Sequence, residues 1–133
     1  MEKWVSEVLA YLRSHRQDMV SDLMELVRVP SIAGERVGEL PFGQEVDRAL
    51  RVAARLFEKH GFTVKVSHQS GYALAISEGE GDGIGIFAHC DVVPVNDDWV
   101  KTKPFEPIEE NGFVIGKDIH LVHAPERIIP GNM

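Results

Sequence analysis

Cysteine is nearly absent from this sequence: Cys90 is the only one in 133 residues, so no intrachain disulfide can form and nothing points to an oxidising compartment. Long apolar runs are also missing. The stretch from Met1 to Val20 interleaves its apolar side chains with Glu2, Lys3, Glu7, Arg13, Arg16 and Asp18. That excludes a signal-peptide core or a spanning helix, and makes the cytoplasm the default location. Basic excess is lacking as well, since the formal net charge is -7. An acidic surface repels nucleic acid and anionic membranes, which leaves small molecules and proteins as partners. What is present, 44% hydrophobic and 26% charged residues, is the composition of an ordinary globular chain of single-domain size.

Trp4, Val8 and Leu12 recur every four residues, and Val20, Leu23, Met24 and Val27 repeat the stripe after the polar Ser14 to Asp18. Two short amphipathic helices are predicted, the second stopping at Val29-Pro30. Residues 31 to 43 hold three glycines and a proline without apolar period and read as a loop. Val46, Ala49, Leu50, Ala53 and Phe57 then mark a longer helix, closed by Lys59-His60-Gly61.

Beyond that helix the period becomes two. Phe62, Val64 and Val66 make one strand face and Tyr72, Leu74 and Ile76 another, with His68 to Gly71 as the turn between them. Glu78 to Gly83 is an exposed acidic connection. The run Ile84-Gly85-Ile86-Phe87-Ala88 is apolar without alternation, the pattern of a central strand covered on both faces. Glu110-Asn111-Gly112 reads as a turn before a short strand at Phe113 to Ile115. The fold class is therefore α/β, helices packed on a mixed sheet, with His89 at the carboxyl end of the central strand, where sites collect in such layers.

Residues two apart on an extended backbone point to the same side, so the His89 imidazole and the Asp91 carboxylate are neighbours. A neutral imidazole binds zinc through one nitrogen while a carboxylate beside the other N–H fixes its tautomer. By itself His-x-Asp is a weak signal, and a loop histidine hydrogen-bonded to a neighbour is the favoured reading of an isolated match. Cys90, between the two, should point away as a small buried side chain rather than act as a nucleophile. Trp99 and Phe105 suit either a pocket lining or packing under a loop. His15, His60 and His68 read as solvated.

The wider string changes the weighting of His89. Ala88-His89-Cys90-Asp91-Val92-Val93-Pro94, then Asp97-Asp98-Trp99, Pro104-Phe105-Glu106-Pro107, Asn111-Gly112 and Ile115-Gly116 resemble the segment by which zinc-dependent dipeptidases of the aminoacylase and carboxypeptidase-G-like family bring in their first metal ligand. Leu26 to Ser31 and Leu40-Pro41-Phe42-Gly43 are similar to earlier parts of the bacterial dipeptidase branch. Deacylases of N-acyl amino acids share the His89 motif. The resemblance implies a metallopeptidase that hydrolyses dipeptides or related amides with two zinc ions bridged by water and a glutamate base. His89 would be a metal ligand and Asp91 its orienter in the catalytic site.

The family's next element is a glycine-arginine-glycine turn followed by an aspartate that bridges both metals. Here Gly116-Lys117 is followed by Asp118, and Leu121 stands at the bridging position. Residues 118 to 133 form a divergent tail, so the chain is expected to correspond to a truncated amino-terminal part of the catalytic domain, without the lid and dimerisation domain. An unrelated tail, such as a frameshift or early stop would produce, is the favoured reading of this stretch, since no family spacing is met. In the other reading, His120 and His123 would meet on one helical face and with Asp118 could improvise a metal site. The expectations that follow are weak zinc binding, inactivity of the chain alone and self-association through uncovered surface. A non-catalytic interaction module and a truncated remnant are the alternatives.

Overall fold

In the computed structural model residues 2–96, 98–117 and 119–123 are described, the last stretch as backbone. The elements in chain order are α1 (Lys3–Ser14), α2 (Arg16–Val27), α3 (Gln44–Lys59), β1 (Thr63–Ser67), β2 (Tyr72–Ile76), β3 (Ile108–Glu110), β4 (Phe113–Gly116) and β5 (Ile119–His123). The chain is of the α/β class. It divides into two compact units, Met1–Arg28 with Asp97–Met133, and Val29–Asn96.

In the second unit α3 supplies the core. Val46, Ala49, Leu50 and Ala54 are buried along one stripe, and Val29 joins them from the preceding loop. Glu45 and Asp47 in its first turn and Lys59 in its last complement the helix dipole. Gly43 at the amino end and Gly61 just past the carboxyl end both take positive φ, 88° and 86°, a conformation that glycine adopts without Cβ strain. Phe57 is half exposed but meets Phe62 edge-on, with ring centroids 5.2 Å apart.

Strands β1 and β2 pair antiparallel, with Val64 opposite Ala75 and Val66 opposite Ala73. These four make the half-buried face against α3, where the two alanines let the helix approach closely. The other face carries Tyr72, Leu74 and Ile76, all exposed. The turn closes with the Gly71 amide donating to the Ser67 carbonyl at 2.8 Å. Gly71 has φ 69°, and a Cβ there would lie 2.6 Å from Phe42 Cε2. Gly71→Ala is expected to cost about 1–2 kcal/mol, the strain of a left-handed alanine plus displacement of an exposed ring. Urea unfolding of the two proteins checks this.

In the first unit α1 and α2 part at His15, whose ring stacks on Tyr11 at 4.0 Å and whose Nδ1 lies 2.9 Å from the Tyr11 carbonyl. Asn111 and Gly112, with φ 52° and 79°, make the two-residue turn that joins β3 to β4. Both central residues of such a turn need positive φ, which is why Asn-Gly is favoured. β5 pairs antiparallel on the other side of β4. Val114 is buried on β4, which packs against α2, and Arg16 reaches from α2 to Glu109 at 2.6 Å.

Three expectations need correction. The sheets are antiparallel rather than mixed; among the described residues parallel pairing is limited to one bridge, Ile32 to Val92. The run Ile84 to Ala88 is not a buried strand: it has no ladder, and Ile84, Ile86 and Phe87 are 93%, 90% and 99% exposed. An apolar run encodes a demand for burial, but a central strand also needs partners on both edges, and no described segment supplies them. The backbone at 119–123 is a strand, so the helical spacing invoked for His120 and His123 does not apply; Asp118 and Asp97 lie outside the described residues. Among the described residues no helix is long and apolar enough to cross a membrane.

Candidate metal centre

The candidate ligand His89 follows the exposed run Ile84 to Ala88, and its side chain is 81% exposed. Its Nδ1 lies 2.9 Å from the backbone carbonyl oxygen of Asp91 and 3.4 Å from the Asp91 carboxylate. A carbonyl only accepts, so this contact is a hydrogen bond when the proton is on Nδ1. Nε2 takes no part in either contact and is left with its lone pair for a metal. The imidazole and the carboxylate thus share one side, with the shorter contact made by the main chain.

The backbone around Asp91 is held by the segment following α2. The Val92 amide donates to the Ser31 carbonyl at 3.0 Å, and the Ser31 hydroxyl donates to the Cys90 carbonyl at 2.6 Å. Val29 and Ser31 are each 3% exposed. Pro30 ends the helical register before them, which lets the chain run beside residues 90–92 in the single parallel bridge. The sequence marked Pro30-Ser31 as a helix end; that the serine reaches the His-x-Asp segment is a contact across 59 positions, which no local period reports.

Cys90 is half-buried. Burial first, and the neighbouring Asp91 charge second, push its thiol above the ordinary value, so the neutral form is favoured and a thiolate nucleophile is not. Trp99 and Phe105 are half-buried.

A second polar cluster was not anticipated. Asp47, buried on α3, accepts a hydrogen bond from Arg51 Nε at 2.8 Å and pairs with Nδ1 of His68. Burial alone would raise the Asp47 carboxyl, but the hydrogen bonds and charges of His68 and Arg51 outweigh it and hold the carboxyl below its ordinary value. His68 is therefore an anchor between the hairpin turn and α3 rather than a solvated turn residue. A shallow hollow bordered by Leu40, Phe42, Val46, His68 and Gly71 opens beside the pair. The readable signal was an aspartate on the apolar stripe, three residues before Leu50 and seven before Ala54.

An imidazole with a carbonyl and a carboxylate beside its Nδ1 is chemically compatible with one ligand of a zinc site. Among the described residues no group of three or more His, Cys, Asp or Glu side chains converges to complete it, whereas a catalytic zinc takes about three protein ligands.

No protein-family model matches the chain. It is similar to a succinyl-diaminopimelate desuccinylase from a Nitratiruptor species, 31% identical over 100 residues, which is 75% of this chain and 25% of that protein. The chain thus spans about a quarter of the length of the curated relative it matches. A stretch of 100 residues in a chain of 133 necessarily contains His89 and Asp91. The similarity relates the chain to a metallopeptidase-like group of hydrolases.

Proposed function

We propose that this chain carries the opening part of the catalytic domain of a zinc-dependent amide hydrolase, acting on dipeptides or related amides, in which His89 ligates a metal and Asp91 orients it. The observation that carries the reading is the engaged Nδ1 of His89 beside Asp91, inside the stretch similar to the desuccinylase. Bound zinc would supply Lewis-acid activation of the amide carbonyl and of water. The part played by this chain's own residues is narrower. Asp91 holds the imidazole through its carbonyl and carboxylate, and His89 offers Nε2. Because no group of three or more His, Cys, Asp or Glu side chains converges among the described residues, the 133-residue chain alone is expected to bind zinc weakly and turn over neither dipeptides nor N-acyl amino acids.

Replacing the similar stretch of the Nitratiruptor enzyme by its counterpart from this chain tests the reading. Zinc-dependent cleavage of dipeptides is the expected result. Cleavage of N-acyl amino acids alone would move the substrate class to deacylation, and a folded, zinc-loaded graft that cleaves neither would overturn the proposal.

The exposed run Ile84, Ile86 and Phe87 favours a second reading, in which this segment pairs with another copy of the chain. An exposed apolar stretch that joins no ladder among the described residues invites association. Sedimentation is expected to show concentration-dependent self-association, reduced by Ile86→Lys with Phe87→Glu. A monomer at all concentrations in the unmodified chain would contradict it.

A further inference from the structure

We infer that Ser31 is the positioning residue of the metal centre: through its hydroxyl and its carbonyl it fixes both peptide groups that flank Asp91, and thereby holds His89 in the tautomer that leaves Nε2 for the metal. The inference rests on the reading of His89 as a ligand and adds how its orientation is enforced.

The geometry makes one connected path. His89 Nδ1 lies 2.9 Å from the Asp91 carbonyl, an acceptor that a proton on Nδ1 would satisfy. That carbonyl belongs to the same peptide group as the Val92 amide, which donates to the Ser31 carbonyl at 3.0 Å. Hydrogen bonds in series through one peptide polarise each other, so the Ser31 carbonyl strengthens the Asp91 carbonyl as an acceptor. The preceding peptide is fixed separately, because its carbonyl, that of Cys90, accepts from the Ser31 hydroxyl at 2.6 Å. One residue, 3% exposed, therefore determines the plane in which the Asp91 carbonyl faces the imidazole. The anchor is itself fixed: Val29 beside it is buried, and Ile32 bridges to Val92. By contrast, His89 is mostly exposed and the Asp91 carboxylate is 3.4 Å away and half exposed. An exposed carboxylate with free rotamers orients an imidazole less firmly than a held carbonyl.

The test is the nitrogen spectrum of the His89 ring in the 133-residue chain, recorded well above the ordinary imidazole titration range so that the neutral ring is observed. The unmodified chain is expected to show His89 with the proton on Nδ1. Ser31→Ala keeps the Ser31 carbonyl on the Val92 amide but frees the Cys90 carbonyl, so it should shift the ring part of the way toward a mixture of tautomers, and Ser31→Thr, which keeps the hydroxyl, should restore it. A purely structural serine would lower stability in the alanine variant without moving the tautomer, and that result would overturn the inference. Asp91→Ala gives an arm that does not depend on any change at the buried serine. It leaves the Ser31 contacts and the Asp91 carbonyl in place, so the Nδ1–H form should persist; loss of that form would assign the orientation to the carboxylate and overturn the inference. Zinc titration in the same samples separates the two layers. Ser31→Ala is expected to weaken zinc binding at His89 by about tenfold, the low end of the effect of losing an outer support, because the Ser31 carbonyl stays in place. No zinc response at His89 in the unmodified chain would overturn the functional reading, while the tautomer results still decide the role of Ser31.

Discussion

In the graft that joins this chain's stretch to the rest of the Nitratiruptor enzyme, His89→Ala is expected to lower kcat/KM by more than about 100-fold, and Asp91→Ala by only about tenfold. The difference follows from what each side chain does. Losing an outer-shell partner typically costs about 10–100-fold in metal affinity or activity. Asp91→Ala should fall at the low end because the shorter contact to Nδ1, at 2.9 Å, is made by the backbone carbonyl, which the substitution keeps. His89→Ala removes the nitrogen proposed to ligate the metal, so its effect should exceed that range. A hundredfold loss corresponds to about 2.7 kcal/mol of transition-state stabilisation. Equal effects of the two substitutions would show that the carboxylate, rather than the main chain, carries the orientation. Activity unchanged by His89→Ala would remove His89 from the site.

Asp47→Ala is expected to destabilise the Val29–Asn96 unit by about 2–3 kcal/mol, a large share of the roughly 5–15 kcal/mol of a typical domain. Asp47 is buried and accepts charge-assisted hydrogen bonds from Arg51 and His68, each bond of this kind contributing about 1.5–3 kcal/mol. The two do not add fully, because Arg51 and His68 are themselves 63% and 39% exposed and regain water when the carboxylate is removed. The exposed pair of Arg48 and Glu45 on the same helix is the control: Arg48→Ala should cost less than about 0.5 kcal/mol. The acid response has a definite sign. The folded-state carboxyl of Asp47 is lowered, so its stabilisation is complete above the unfolded carboxylate value, about 4, and is lost as pH falls through the lower folded value. Urea midpoints of the two proteins should therefore converge below about pH 4. A constant difference down to about pH 2 would assign the effect to packing instead.

How much of this was readable depended on whether the deciding contact was local. α3, the closing Gly61 and the alternation of β1 and β2 are set by residues a few positions apart and lie where their periods place them, although Ala54 rather than Ala53 is buried and Phe57 at the end of the stripe is half exposed. Asn111-Gly112 marked its turn for the same reason, although β3, only three residues long, gave no period of its own. Burial on two faces is a different kind of property. Ile84 to Ala88 has the composition of a central strand, yet pairing depends on what other segments offer, and the run remains exposed. β2 illustrates the same limit on a smaller scale: its larger side chains, Tyr72, Leu74 and Ile76, face outward because Ala73 and Ala75 fit against the helix. That the His89 imidazole and the Asp91 carboxylate share a side was legible, because residues two apart on one segment point the same way. Ser31 was not, since its hydroxyl finds Cys90 across the fold. The Asp47 to His68 pair was half legible, as an aspartate on an apolar stripe demands a partner but does not name it.

The central claim, that His89 is a metal ligand, is tested most directly by titrating zinc into the nitrogen-labelled chain and following each histidine ring. His89 Nε2 should respond first, and the response should vanish in His89→Ala while His15, His60 and His68 keep their spectra. A first response at another histidine, or one that survives His89→Ala, would contradict the account.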